Sequence, residues 1–218
     1  FLSLVQRAQS EASHLVILGD LFDYWFGNGR AMQKEFAPLM AELTKLRATC
    51  QIIYFEGNHD FHLRSFWEKE FGAQVHTGPA QLFINGVKIW AEHGDEINKA
   101  DLAYKRFRAF LRGPLVTTLI RVLPSSVVMR LGEKASGTSR HYSSQRNEPT
   151  KEIYRRYAQE LRESVDFDYM MVGHNHVADD FAFTTAKGPG RLINLGSWFD
   201  EPHYAKLNGD GKVQMVVL

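Results

Sequence analysis

The sequence has little of what would define a secreted, membrane-embedded or disordered protein. Its 218 residues hold a single cysteine, Cys50, so no internal disulfide framework can form, and a reducing compartment is the natural setting. No apolar run is long enough to span a bilayer, and nothing at the start reads as a secretory signal. Internal repeats and low-complexity stretches are absent. Hydrophobic residues at 44% and charged residues at 23% are ordinary for a globular protein, which excludes disorder as the main theme. Net charge is nearly lacking, at +1, but it is unevenly spread. Residues 104 to 156 carry twelve Lys or Arg against three Asp or Glu, a local excess of +9 that leaves the remainder at −8. A basic segment on an acidic body suits an anionic partner such as phosphate, a lipid headgroup or nucleic acid. Charge alone fits a solvated helix face equally well.

What is present is an alternation of short apolar runs with helical periods, in a chain long enough for one full core, either a large single domain or a domain with an inserted cap. A helix is expected over residues 4 to 12 with Ser3 as its cap, and a strand over 14 to 19. An aromatic run, Leu21 to Phe26, leads to a loop at Gly27-Asn28-Gly29 and then to a helix from Ala31 to Arg47. A strand at 51 to 55 precedes a short helix near 63 to 71. Paired strands at 80 to 84 and 87 to 91 flank Asn85-Gly86, a strong tight-hairpin signal. From Lys99 to Glu163 the pattern becomes almost wholly helical, broken at Gly113-Pro114, Pro124 and Pro149. Within it, the apolar stretches 115 to 123 and 127 to 131 are flanked by arginine. Residues 99–163 are therefore read as a helical cap inserted between a first core part, 1–98, and a second, 164–218. Strands resume at 169 to 172, 181 to 184, 191 to 195 and 213 to 218.

Four apolar runs stop at polar residues beside glycine: Gly19-Asp20, Gly57-Asn58-His59-Asp60, His93-Gly94-Asp95 and Gly173-His174-Asn175-His176. Strand ends are where layered α/β sheets bind ligands, so four such ends suggest one polar site. Asp20, Asn58, His93, His174 and His176 are oxygen and nitrogen donors without a thiolate. That set suits Mn²⁺, Fe, Zn²⁺ or Mg²⁺ better than a structural zinc site. A bridging carboxylate and a neutral amide suit two ions that together clamp a phosphoryl group. His59, on a tight turn, can face substrate and stabilise or protonate it, with Asp23 or Asp60 holding an imidazole in its tautomer. A lone histidine is more often a surface or core residue, and Gly19-Asp20 alone can be a turn. The joint order of four blocks is what carries the metal reading.

Those blocks resemble the calcineurin-like metallophosphoesterases over nearly the whole chain. The resemblance implies an α/β (α+β) fold, a four-layer αββα sandwich, with a dinuclear centre. It implies that Asp20 bridges, that Asn58, His93 and His174 complete one metal site, that His176 joins the other, and that His59 faces substrate. Family members open with a strand ending in Asp-x-His, and no such motif precedes Asp20 here. Phe1-Leu2-Ser3 looks like the tail of that strand, so the motif is expected in a stretch absent between Ser3 and Leu4 or upstream of Phe1. The alternative is a chain lacking one metal site.

A narrower resemblance, to the pyrophosphatases that split UDP-2,3-diacylglucosamine in lipid A synthesis, lies in residues 19–26, in Asp101 to Arg108 and in Leu195-Gly196-Ser197-Trp198. It implies cleavage to UMP and 2,3-diacylglucosamine 1-phosphate, with two divalent ions, Mn²⁺ before the others. It also implies a cytoplasmic enzyme peripheral to the inner membrane of a Gram-negative bacterium. Where one branch of that group reads Gly-Asn-Arg-Asp, this chain has His59. Asp101, Tyr104 and Arg108 fall at i, i+3 and i+7, so one helical face can look onto a nucleotide-sugar lipid. Arginine-flanked apolar helices suit an anionic membrane surface. The competing readings are another phosphodiesterase or nuclease, against which the cap lacks aromatic stacking residues between its charges, and a catalytically silent scaffold.

Overall fold

Helical and strand periods settle here into two units of mixed α/β structure, seen in a computed structural model that describes residues 1–26, 33–123, 127 and 150–218. The expected features at Gly27-Asn28-Gly29, Ala31, Pro124, residues 128–131 and Pro149 lie outside the described residues. The first unit comprises residues 1–77 and 102–146, and the second comprises 78–101 and 147–218. No helix among the described residues is long and apolar enough to cross a membrane.

The first unit begins with helix α1 (Leu2–Glu11), which buries Leu4, Val5 and Ala8 on one face. Phe1, Leu2 and Ser3 therefore do not form the tail of a strand. Phe1 packs against the core and its carbonyl accepts from Val5 N at 3.0 Å, so the first helical turn closes ahead of Ser3 and leaves it no capping role. Next come β1 (His14–Ile17), β2 (Trp25–Phe26) and α2 (Ala37–Leu46). Among the described residues 33–35 are helical and Phe36 is a turn, and proline in the first turn of α2, with its φ preset for helix, accounts for a fresh start at Ala37. Then follow β3 (Gln51–Phe55), β4 (Asp60–Phe61) and β5 (Gln74–His76). The short helix expected near 63 to 71 is a single wide π-helical turn, Arg64–Glu68.

Strands β1, β3 and β5 form a parallel sheet with β3 central. Its buried side meets α1, α2 and an aromatic cluster in which Trp25 and Trp67 lie 5.4 Å apart, centroid to centroid. Two further helices, α3 (Leu102–Leu111) and α4 (Pro114–Val122), belong to this unit. Both leave large apolar side chains exposed: Leu102, Phe107 and Phe110 on α3, and Leu115, Leu119 and Val122 on α4.

The second unit holds β6 (Ala80–Ile84), β7 (Val87–Ala91), α5 (Thr150–Arg162), β8 (Tyr169–Val172), β9 (Asp179–Thr185) and β10 (Gly188–Asn194). Its five-stranded sheet runs β6-β7-β8-β10-β9, parallel through β7, β8 and β10 and antiparallel at both edges. The β6–β7 hairpin turns at Asn85 and Gly86 with φ of 51° and 80°, the left-handed pair such a turn demands. Tyr154 and Ala158 of α5 pack with Phe167, Met170 and Leu192. A separate hairpin, β11 (His203–Leu207) with β12 (Val213–Val217), closes the chain, and only its second strand is legible from periodicity.

Candidate metal centre

In the first unit, two neighbouring parallel strands, β1 and β3, release Gly19-Asp20 and Gly57-Asn58-His59-Asp60 from the same end of the sheet. The two loops touch. A Cβ at Gly57 would lie 2.1 Å from Asp20 Oδ1, so only glycine permits the approach. The same Asp20 Oδ1 accepts from His59 N at 2.9 Å.

Asp60 is buried under these loops and organises them. Its Oδ1 accepts from the backbone N–H of Asp20 and of Gly57, each at 2.9 Å, and its Oδ2 from Leu21 N at 2.8 Å and the Tyr54 hydroxyl at 2.5 Å. Burial first, and then the charge of Asp20, push the Asp60 carboxyl up to about 7, while the Tyr54 and amide donors pull the other way. Burial, reinforced by Asp60, pushes the Tyr54 phenol up as well. The Asp60 carboxylate is thus given to amides and a phenol. The His59 ring meets Asp23 instead, through Nδ1 at 3.1 Å from the main-chain carbonyl of Asp23. That contact leaves Nε2 as the ring nitrogen not turned toward Asp23.

The second unit repeats the device. Parallel β7 and β8 run on into Glu92-His93 and Gly173-His174, and Gly173 N donates to the His93 carbonyl at 3.0 Å. The imidazoles meet, with His174 Nδ1 3.2 Å from His93 Nε2 and the rings at 71°. Two ring nitrogens at that separation can share one proton or face a common cation. The loop beyond is held from the side: Asn175 Oδ1 accepts from Asn194 Nδ2 at 2.8 Å, and Asn194 Oδ1 from Gly196 N at 3.2 Å. Tyr154 OH donates to the Gly94 carbonyl at 2.8 Å, and burial pushes this phenol far up, keeping it a donor. Glu92, raised mainly by burial, accepts from Trp90 Nε1 and from Tyr157 OH.

Three of the expected ligands sit at left-handed backbone, with φ of 53° at Asp20, 69° at His174 and 59° at His176. Non-glycine residues accept such geometry at a cost, and it clusters at functional sites. His176 is exposed, and Asn58 is half-buried. Tyr104 and Arg108 are half-buried along α3, while Asp101 precedes its first turn. Sequence reading missed Tyr54, Asn194 and Glu56. Tyr54 and Asn194 lie within apolar strands, where a polar group that must find a partner was the available signal.

The sequence profile of the calcineurin-like phosphoesterases matches residues 1–178. The chain belongs to this family. As a calcineurin-like phosphoesterase it is a metal-dependent hydrolase, and its oxygen and nitrogen donors, without thiolate, fit divalent ions.

This phosphoesterase is similar to several proteins named UDP-2,3-diacylglucosamine hydrolase. The one from Enterobacter sp. (strain 638) is 26% identical across 97% of this chain and 88% of its own length. That of Photorhabdus laumondii is 28% identical across 81% and 73%. That of Pectobacterium carotovorum is 28% identical across 95% and 86%. Among solved structures, Vps29 from Entamoeba histolytica covers all of this chain, and 88% of its own is covered, at 12% identity and a TM-score of 0.43.

Proposed function

We propose that this phosphoesterase hydrolyses the diphosphate of UDP-2,3-diacylglucosamine, giving UMP and 2,3-diacylglucosamine 1-phosphate in lipid A synthesis. The observation that carries the reading is the likeness to hydrolases of that name along 97% of the chain. Asp20, Asn58, His93, His174 and His176 are proposed to hold two divalent ions, Mn²⁺ before Fe, Zn²⁺ or Mg²⁺. Bound there, the ions would supply Lewis acidity toward the phosphoryl oxygens and acidify water toward neutral pH. A cation at Asp20 would also offset the negative charge that helps to raise Asp60.

The chain's own residues divide the remaining work. His59, anchored at Nδ1 by the Asp23 carbonyl, presents Nε2 to the diphosphate, where it can stabilise the pentavalent phosphorus or give a proton to the departing phosphate oxygen. Water adds to one phosphorus and gives up a proton to solvent, the bridging P–O bond breaks, and its electrons leave with the other phosphate. Tyr104 and Arg108, on the half-buried face of α3 behind Asp101, are proposed to contact the nucleotide-sugar lipid. The exposed apolar side chains of α3 and α4, next to Lys105, Arg106 and Arg108, support a resting place on the anionic cytoplasmic face of the inner membrane.

The test is an assay of purified protein with Mn²⁺ on UDP-2,3-diacylglucosamine beside bis-p-nitrophenyl phosphate and a phosphopeptide. Release of UMP supports the reading. Turnover of the small diester alone removes the lipid substrate and leaves the phosphoesterase.

A further inference from the structure

Arg112 stands just past the end of α3, and its side chain reaches the turn that carries Asn58 and His59. Its Nη1 pairs with Glu56 Oε2, and its Nη2 donates to the Gly57 carbonyl at 2.9 Å. The guanidinium carbon lies 5.4 Å from the centroid of the Phe61 ring. On its other side Glu56 uses Oε1 to accept from Leu63 N at 2.8 Å. The Glu56 side chain is 2% exposed and that of Arg112 16%, so water has little part in this geometry. One ion pair therefore grips the turn on both sides, before Asn58 and after Phe61.

The Gly57 carbonyl and the Asn58 N–H belong to one rigid peptide plane. Holding the oxygen fixes the plane, and the plane sets the direction in which the Asn58 side chain leaves the strand end. We infer that Arg112 is a positioning residue. It orients the 57–58 peptide, and through it the carboxamide of Asn58, and it makes that orientation depend on the seating of α3. The inference rests on the proposed use of Asn58 as a metal ligand. Lysine at 112 keeps the charge but lacks the planar fork that serves Glu56 and Gly57 together.

The experiment compares the wild type, Arg112→Lys, and the double variant Glu56→Met with Arg112→Met, which leaves no buried charge unpaired. Mn²⁺ affinity is read by electron paramagnetic resonance, the turn by amide hydrogen exchange at Asn58 and His59, folding by thermal melting, and kcat and KM with bis-p-nitrophenyl phosphate. Arg112→Lys is expected to melt near the wild type yet bind Mn²⁺ about 10–100-fold more weakly and lose kcat with KM little changed. Exchange at the turn is expected to rise roughly tenfold or more. The double variant is expected to show the same metal loss. Unchanged Mn²⁺ affinity and exchange in both variants would overturn the inference. A wild type that takes up no Mn²⁺ overturns the functional reading instead, and the exchange data then still decide whether Arg112 holds the turn.

Discussion

The Tyr54 hydroxyl donates to Asp60 Oδ2 at 2.5 Å, joining the C-terminal end of β3 to the first residue of β4, and both side chains are buried. Tyr54→Phe removes one of the donors on that carboxylate, and a loss of about 1–2 kcal/mol in urea unfolding is expected. Asp60→Ala removes the side-chain acceptor that the amides of Asp20, Leu21 and Gly57 share, leaving Gly57 N only the main-chain carbonyl of residue 60, and a loss of more than about 3 kcal/mol is expected. Equal losses for the two variants would show that Asp60 does not organise the loops.

Gly57→Ala tests the close approach of those loops. Its Cβ would meet Asp20 Oδ1 at 2.1 Å and Asp20 N at 2.5 Å, and neither the strand end nor the anchored aspartate can retreat cheaply. A destabilisation of about 1–3 kcal/mol is expected, together with loss of phosphoesterase activity. An alanine variant with wild-type melting and kcat would refute the packing argument.

His59→Ala separates proton handling from metal binding. Mn²⁺ affinity is expected to stay within a few-fold of wild type, while kcat falls by roughly 10²–10⁴. A parallel loss of metal would place His59 among the ligands instead.

Much of the candidate site is legible in the sequence because each part of it is a local event. An apolar run that stops at glycine and a donor marks a strand end, and Asn85-Gly86 marks its own turn through the φ values it tolerates. What escapes is the pairing of distant residues. β2 and β4 are two residues long and exist because Trp25 pairs with Asp60, and nothing near Trp25 announces that partner. Glu56 and Arg112 are 56 residues apart, so neither betrays the other. Asp23 and Asp60 offered the same carboxylate to His59, and only the fold shows a main-chain oxygen of Asp23 meeting the ring while Asp60 serves the backbone. The start of α1 was misread because Phe1-Leu2-Ser3 has no periodicity of its own, and its packing decides the outcome.

Asn194→Ala tests support for the second pair of donors. Without its side chain, Asn175 loses a partner in the loop between His174 and His176. Mn²⁺ affinity is expected to fall about 10–100-fold, as for other groups that brace a ligand. Unchanged affinity would confine Asn194 to structure.

Cys50 is buried, and burial pushes its thiol up. The native protein is expected to resist Ellman's reagent at pH 8 until denaturant is added, with stoichiometric labelling afterwards. Fast labelling of the folded chain would show that the end of α2 opens readily.

Asp20, His174 and His176 occupy backbone that glycine would adopt with less strain. Breeding this protein for yield or heat tolerance alone should therefore erode those positions early, because relaxing each backbone brings a small gain in robustness. With the metal-holding roles proposed for these three residues, a hardy descendant obtained that way would be an inert one, and only screening for turnover in every round would keep the chemistry.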